Sequence, residues 1–259
     1  MSKVKQKFSI MIYDLNKINV VSHSQSTFVK GKQILDGVLI ADEAVDEARR
    51  LNKEMILFKV DFEKAYDSVD LHYLDVVMLK MNFSTLWRKW ISECVGSATA
   101  SVLVNGSPMG EFPIGRGLRQ GDPLSPFLFL LAAEGFNVMM TSVIKAGLYH
   151  GYRVGTHDGV SLSHLQFADD SLILCVKIWA NVRYMRAVLI LFEQVSGLKV
   201  NFHKSMLTEI NITTSWLTEA AYVLNCLVGT LSFVYLGLSI GGDARRLEFS
   251  QPVLNRIST

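Results

Sequence analysis

From Ser163 to Val176 the chain alternates through His164-Leu165-Gln166-Phe167, takes a short Ala168-Asp169 step, and leaves along the apolar run Leu172-Ile173-Leu174-Cys175-Val176. The pattern reads as strand, tight turn, strand, so the adjacent acids Asp169 and Asp170 come out at the tip of a β-hairpin. Side chains alternate across a strand, so one of two neighbouring aspartates at such a tip faces over the sheet while the other points aside. Two carboxylates this close repel and raise each other's pKa, unless a divalent cation keeps both ionised. A hard, oxygen-liganded ion such as Mg2+ fits best. Asp is also a common turn residue, so the surroundings decide.

A third acid arrives in a similar way. Met55-Ile56-Leu57-Phe58-Lys59-Val60 is a mostly apolar run of strand length that ends at Asp61, so a buried strand delivers a carboxylate at its end. Between these acids lies Arg116-Gly117-Leu118-Arg119-Gln120-Gly121-Asp122-Pro123-Leu124-Ser125-Pro126, a basic, glycine-punctuated loop that leads into an apolar helix from Phe127 to about Ile144. Glycines beside a helix start let backbone N–H groups approach a phosphate, and the arginines add charge. The bland reading is an ordinary loop with helix-start prolines.

The rest of the chain supplies a frame. Ile34, Val38, Ala41, Val45 and Ala48 recur at helical spacing between Gly31 and Leu51. Leu71, Leu74, Met78 and Met81 mark a second helix with Ser68 as its cap, and Ser84 caps a third carrying Leu86, Trp87, Trp90, Ile91 and Cys94. Thr99 to Val104 followed by Asn105-Gly106 predicts a hairpin whose second arm runs from Glu111 to Ile114. Beyond the acids come a helix from Val182 to Val195 ended by Gly197, short strands over Leu198–Phe202 and Ser205–Ile210, a helix over Thr214–Asn225 and a last strand over Phe233–Ile240. Residues 1 to 22 carry no clear period and read as an irregular arm. The order predicts an α+β fold, an antiparallel sheet of the split βαβ type with helices packed on one face. In such a sheet Asp61 and the hairpin tip lie on neighbouring strands, and three carboxylates converge.

Composition narrows the partners less than the motifs do. With 26 Lys and Arg against 24 Asp and Glu the net charge is +2, below the balance of a dedicated nucleic-acid-binding domain. The apolar stretch Phe127 to Ala133 stops at Glu134, short of the ~20 residues a membrane span needs, and no membrane partner is expected. The apolar residues near the amino terminus are too few for a signal-peptide core, so an intracellular location, nuclear or cytoplasmic, is expected. Cys94, Cys175 and Cys226 have no metal-ligand spacing and are expected to be buried free thiols.

Converging acids on a sheet floor beside a basic loop are the parts of metal-assisted phosphoryl chemistry. Spacing alone does not choose between polymerase, nuclease and cyclase. Six segments together do: Gln25-Ser26-Thr27-Phe28-Val29-Lys30-Gly31, Val60-Asp61-Phe62-Glu63-Lys64-Ala65-Tyr66-Asp67, Arg116 through Pro126, Phe167-Ala168-Asp169-Asp170, Ser196 through Ser205, and Tyr235-Leu236-Gly237-Leu238. In this order they resemble the reverse transcriptase domain of plant non-LTR retrotransposons, the long interspersed element type, from about Ser24 onward.

That resemblance implies an RNA-directed DNA polymerase with a right-hand fold. Partial fingers would occupy residues 23–54 and 70–120, the palm 55–69 and 121–240, and a truncated C-terminal segment 241–259, all within a domain of residues 23–259 that follows the arm. It implies Asp61 and Asp169 as principal ligands of Mg2+, or of Mn2+ in its place, with Asp170 as the accessory acid. The same resemblance makes Lys204 a candidate general acid for pyrophosphate. Phe62, Tyr66, Arg119, Gln120 and Gly121 would line the nucleotide pocket, Tyr66 opposing a 2'-hydroxyl. Tyr235, Leu236 and Gly237 would form the primer grip. RNA template, DNA primer and deoxynucleotides are the implied partners. Asp67 reads as structural, a helix cap, and Phe167 as sheet packing.

The chain departs from the family pattern in places. Residues 1 to 22 do not resemble the upstream fingers, Lys32 stands where arginine is expected, Ser239 stands where proline is expected, and no thumb, endonuclease or zinc knuckle is recognisable. The expectation is therefore a fragment of a larger polyprotein or a decayed copy, weakly active or inactive alone. The competing readings are a non-catalytic palm-like remnant that binds RNA or a protein and, more distantly, a palm-type nucleotide cyclase, which leaves the Arg119 to Pro123 loop unexplained.

Overall fold

The computed structural model describes residues 34–97, 99–155 and 159–242. The arm over residues 1–22, the Gln25–Gly31 motif, Lys32 and the segment beyond Gly242 lie outside the described residues.

The apolar run at Met55 becomes β1 (Met55–Val60), the middle strand of a five-stranded sheet. On one side it pairs antiparallel with β9 (Asp170–Cys175), which turns back on β8 (His164–Phe167). On the other it pairs antiparallel with β10 (Met206–Ile210), and β10 carries the short parallel β11 (Leu227–Val228) at the edge.

Because successive side chains point to opposite faces, the nearly continuous apolar sequence of β1 must be covered twice. Ile56, Phe58 and Val60 face a layer made by α3 (Leu71–Lys80), α5 (Ser125–Lys145), α6 (Trp179–Ser196) and α7 (Thr214–Leu224). Met55 and Leu57 face α1 (Ile34–Arg50), the hairpin β6–β7 (Tyr152–Val154 and Val160–Leu162) and the hairpin β12–β13 (Phe233–Tyr235 and Leu238–Ile240). The α+β palm expected from the sequence is the fold observed, with one addition: a single helix and two hairpins close the second face.

Helix α5 is long and apolar enough to cross a membrane by length and composition, the one such helix among the described residues. Its Leu128, Phe129, Leu131, Ala132, Phe136 and Met140 are buried in the helix-side core, so its apolar length serves the sheet. Helices α1 and α3, assigned to the fingers by sequence, both pack directly on the sheet or its helix layer. Helix α4 (Thr85–Gly96) packs on the helix layer through the buried Ile91 and leads into a ribbon of two short ladders, β2–β5 (Thr99–Ala100 with Phe112–Pro113) and β3–β4 (Leu103–Val104 with Ser107–Pro108). Asn105 and Gly106 take positive φ at the ribbon's turn, as their types predict.

Several local expectations change. Ser68 does not cap α3: its hydroxyl donates to the Glu63 and Lys64 carbonyls, and Asp70 is the cap, accepting from the Tyr73 N–H at 2.9 Å. Ser84 caps α4 as predicted. Leu198–Phe202 is not a strand but a loop with one bridge, Phe62 to Val200. The single strand predicted over Phe233–Ile240 is a hairpin, because Leu236 (φ 53) and Gly237 (φ 83) form a two-residue turn. Of the cysteines, Cys175 is buried, Cys226 is half-buried and Cys94 is exposed.

Candidate active site

Asp61 is the first residue beyond β1. The last pair of the β1–β9 ladder is Val60 opposite Ser171, so Asp61 and Asp170 each come next to that pair, and the Asp61 charge acts on the Asp170 carboxyl. A closed set of hydrogen bonds fixes the strand end there. The Asp61 N–H donates to the Ser205 hydroxyl at 3.0 Å, that hydroxyl donates to the Asn201 carbonyl at 2.9 Å, and the Asn201 N–H donates to the Asp61 carbonyl at 2.8 Å. The loop that replaces the predicted strand is thus a clasp on Asp61. Lys204 is exposed and next to Ser205, its N–H bonded back to Asn201, so it flanks the acid end.

The two acids of the hairpin divide between two sides. Phe167 pairs with Asp170 around the Ala168-Asp169 turn, and Ala168 adopts φ 52, a left-handed conformation unusual for a residue with a Cβ. Asp169 is exposed and its charge, after burial, raises the pKa of the Tyr66 hydroxyl on the helix side. Asp170 lies toward the other side: burial, then the charge of Asp170, raises Tyr235 in the β12–β13 hairpin. Burial pushes the Asp170 carboxyl itself above the usual range, the Lys59 ammonium pulls it back, and the charges of Asp169 and Asp61 push it up further.

Of the three carboxylates expected to converge, Asp170 lies within the field of both Asp61 and Asp169, yet the three do not form a ready-made cage. Among the described residues no three Asp, Glu, His or Cys side chains are grouped closely enough to hold a metal between them. The reason is the two-sided alternation at the turn. Mg2+ is commonly held by one or two carboxylates with substrate phosphates completing its shell, and Asp61 with Asp169 and Asp170 matches that donor set, its mutual repulsion being what a cation would relieve.

The nucleotide-side candidates are placed as follows. Tyr66, in the short α2 (Ala65–Ser68), stacks on Phe129 of α5 at 4.7 Å between centroids and an interplanar angle of 17°. The basic loop is tied to the same turn, since the Leu118 N–H donates to the Tyr66 carbonyl at 2.7 Å and the Gly117 N–H to the Val69 carbonyl at 2.8 Å. Gly117 has no substitute there: its φ is 88, and a Cβ would stand 2.6 Å from the Asp67 carbonyl oxygen. Asp67 is not a cap; its carboxylate accepts from Gln120 Nε2 at 3.2 Å. Gln120, Arg116 and Arg119 line a cavity of about 530 Å3 between this loop, α4 and the start of α5; Arg119 and Gly121 are exposed. Phe62 is half-buried and lies edge-on to Phe192 at 6.2 Å. Tyr235 is buried, with Leu236 and Gly237 forming the turn of its hairpin. Ser205 and Lys59 shape the acid end without being singled out by the sequence; the available signal was a lone charge in the apolar run of β1.

Comparison with known proteins bears on this arrangement. A family model described as reverse transcriptase (RNA-dependent DNA polymerase) matches residues 2–240. The chain is 34% identical over 117 residues to an uncharacterized 149 kDa protein of transposon TX1 from Xenopus laevis, 45% of this chain and 9% of that protein. It is 39% identical over 82 residues to an uncharacterized mitochondrial protein of Arabidopsis thaliana, 30% of this chain and 66% of that protein. It is 28% identical over 150 residues to a Pol polyprotein from a type-1 retrotransposable element R2 of Popillia japonica, 56% of this chain and 20% of that protein. The chain thus spans less than two thirds of each of these relatives. In fold it resembles apo telomerase of Candida tropicalis truncated from its C-terminal domain, with a TM-score of 0.62 at 15% identity over 93% of this chain and 43% of that one.

Proposed function

Because the chain belongs to the reverse transcriptase family, we propose that it performs RNA-directed DNA synthesis for a non-LTR retrotransposon of plant type, extending a DNA primer with deoxynucleotides on an RNA template. The observation that carries this is the meeting of the β1 end with the β8–β9 turn, which sets Asp61 beside the Asp169-Asp170 pair. The order of the six sequence motifs and the partial match to the Arabidopsis protein support the plant type.

In this reading Asp61 and Asp169 hold divalent cations, Mg2+ in the first place, with Asp170 behind them. Cations held there would supply acidity for the primer 3'-hydroxyl and offset charge on the phosphate under attack. The protein's own part is placement. Ser205 and Asn201 keep the Asp61 backbone fixed, the ring of Tyr66, held by Phe129, limits the space beside the sugar, and Gln120 and Arg119 offer donors to the incoming nucleotide or the template. Lys204, exposed beside Ser205, would be the group that gives a proton to departing pyrophosphate. The β12–β13 turn presents the primer end. In the same reading the palm takes residues 55–69 and 121–240, and the fingers include α1, α3, α4 and the ribbon that follows it.

Primer extension on an RNA template tests the proposal. The chain with Mg2+ or Mn2+ should add deoxynucleotides, and Asp169→Ala should lower the rate by about a hundred- to a thousandfold, as loss of a principal charge-stabilising group does. Extension that survives Asp169→Ala would contradict the role given to Asp169, and nucleic-acid binding that is equal in chelator and accompanied by no extension would mark a non-catalytic remnant.

A further inference from the structure

Lysine is out of place in β1. Lys59 sits in the middle strand of a sheet covered on both faces, opposite Leu172 on β9 and Met206 on β10, as the only charged residue between Met55 and Val60. A lysine there lays its stem along apolar neighbours and must find a place for its ammonium. It finds a backbone oxygen: Lys59 Nζ donates to the Val234 carbonyl at 2.9 Å, joining positions 175 apart in sequence.

Val234 is the middle residue of β12, and β12–β13 is a separate two-stranded sheet of three pairs. A ladder that short is marginal by itself. It rests on the larger sheet through Phe233, Tyr235 and Ile240, buried with Leu57 and Leu172, and at its far end the Gly241 N–H donates to Asp42 of α1 at 3.0 Å. At the acid end the Lys59 bond is the polar tie. Lys59 lies two residues before Asp61, and its charge acts on Asp170.

We propose that Lys59 is a positioning residue that fastens the β12–β13 hairpin to the acid-bearing strand and so sets where the Leu236-Gly237 turn presents a primer end. The consequence for the primer rests on the polymerase reading above; the fastening does not. Hydrogen exchange followed by mass spectrometry on the whole chain tests the fastening. In Lys59→Met, which keeps the stem and loses the donor, amides of 233–240 should exchange about fivefold faster, the size expected of one net hydrogen bond. Those of α6 should be unchanged, and Lys59→Arg should bring 233–240 back to within about twofold of the wild type. Unchanged exchange at 233–240, acceleration throughout the sheet, or failure of arginine to restore protection would each overturn it.

The second readout is steady-state primer extension. Lys59→Met should lower kcat about tenfold while KM for primer–template moves less than about twofold, because misplacing a bound end slows the reaction without removing the phosphate contacts that bind the duplex. A rise in KM at constant kcat would contradict the positioning role. With a wild-type chain that extends nothing, the exchange result alone decides the fastening.

Discussion

His164 enters the fold neutral. Its ring is buried edge-on to Phe136, with Nδ1 2.9 Å from the Ser163 hydroxyl and Nε2 without a hydrogen-bond partner among the described residues, and burial pushes its pKa down to about 4. A histidine whose folded pKa lies below its unfolded value of about 6.5 supports the fold fully above that value and loses the contribution as pH falls through the folded value. Between about pH 6.5 and 4 the chain should therefore lose about 3 kcal/mol that His164→Leu does not lose. Urea titrations of both proteins across that range measure the difference; parallel curves would show that burial does not hold His164 neutral. At this scale the acids were legible because strongly patterned strands deliver them, whereas the contact of the Phe62 ring with Phe192 is not written in its motif. Ser205 acts through its hydroxyl on the Asp61 backbone, a relation that no spacing in the sequence encodes.

Among the elements, turns were harder to read than strands or helices. The β8–β9 hairpin and both strands that flank β1 follow from apolar runs, and Gly197 (φ 78) ends α6 where its lack of a side chain suggests. The β12–β13 turn was hidden because Leu236 stands at positive φ, where Asn or Gly is the usual signal. Ala168 carries the same kind of strain at the acid turn. Ala168→Gly should accordingly raise stability by about 0.5–1 kcal/mol, the relief of left-handed strain outweighing the added freedom of the unfolded chain. The urea midpoint should rise with its slope unchanged; a lower midpoint would mean that the turn carries no such strain. The predicted strand at Leu198–Phe202 fails for a related reason: its backbone is engaged by Asp61 and Glu63 rather than by a full ladder.

For the molecule as a whole, the sheet covered on both faces is what lets residues distant in sequence share one end. The apolar run of β1 announces that double cover, but which elements supply the second face, α1 and two small hairpins, depends on long-range packing that periodicity does not carry. The central claim is that β1 and the β8–β9 turn make a single cation site. Mn2+ binding followed by electron paramagnetic resonance tests it most directly, on the wild-type chain, Asp61→Asn, Asp169→Asn and the double variant. Each single variant should weaken binding by at least about tenfold, and the double should be little worse than either, as side chains sharing one ligand are non-additive. Wild-type affinity in Asp61→Asn, or losses that simply add, would contradict it.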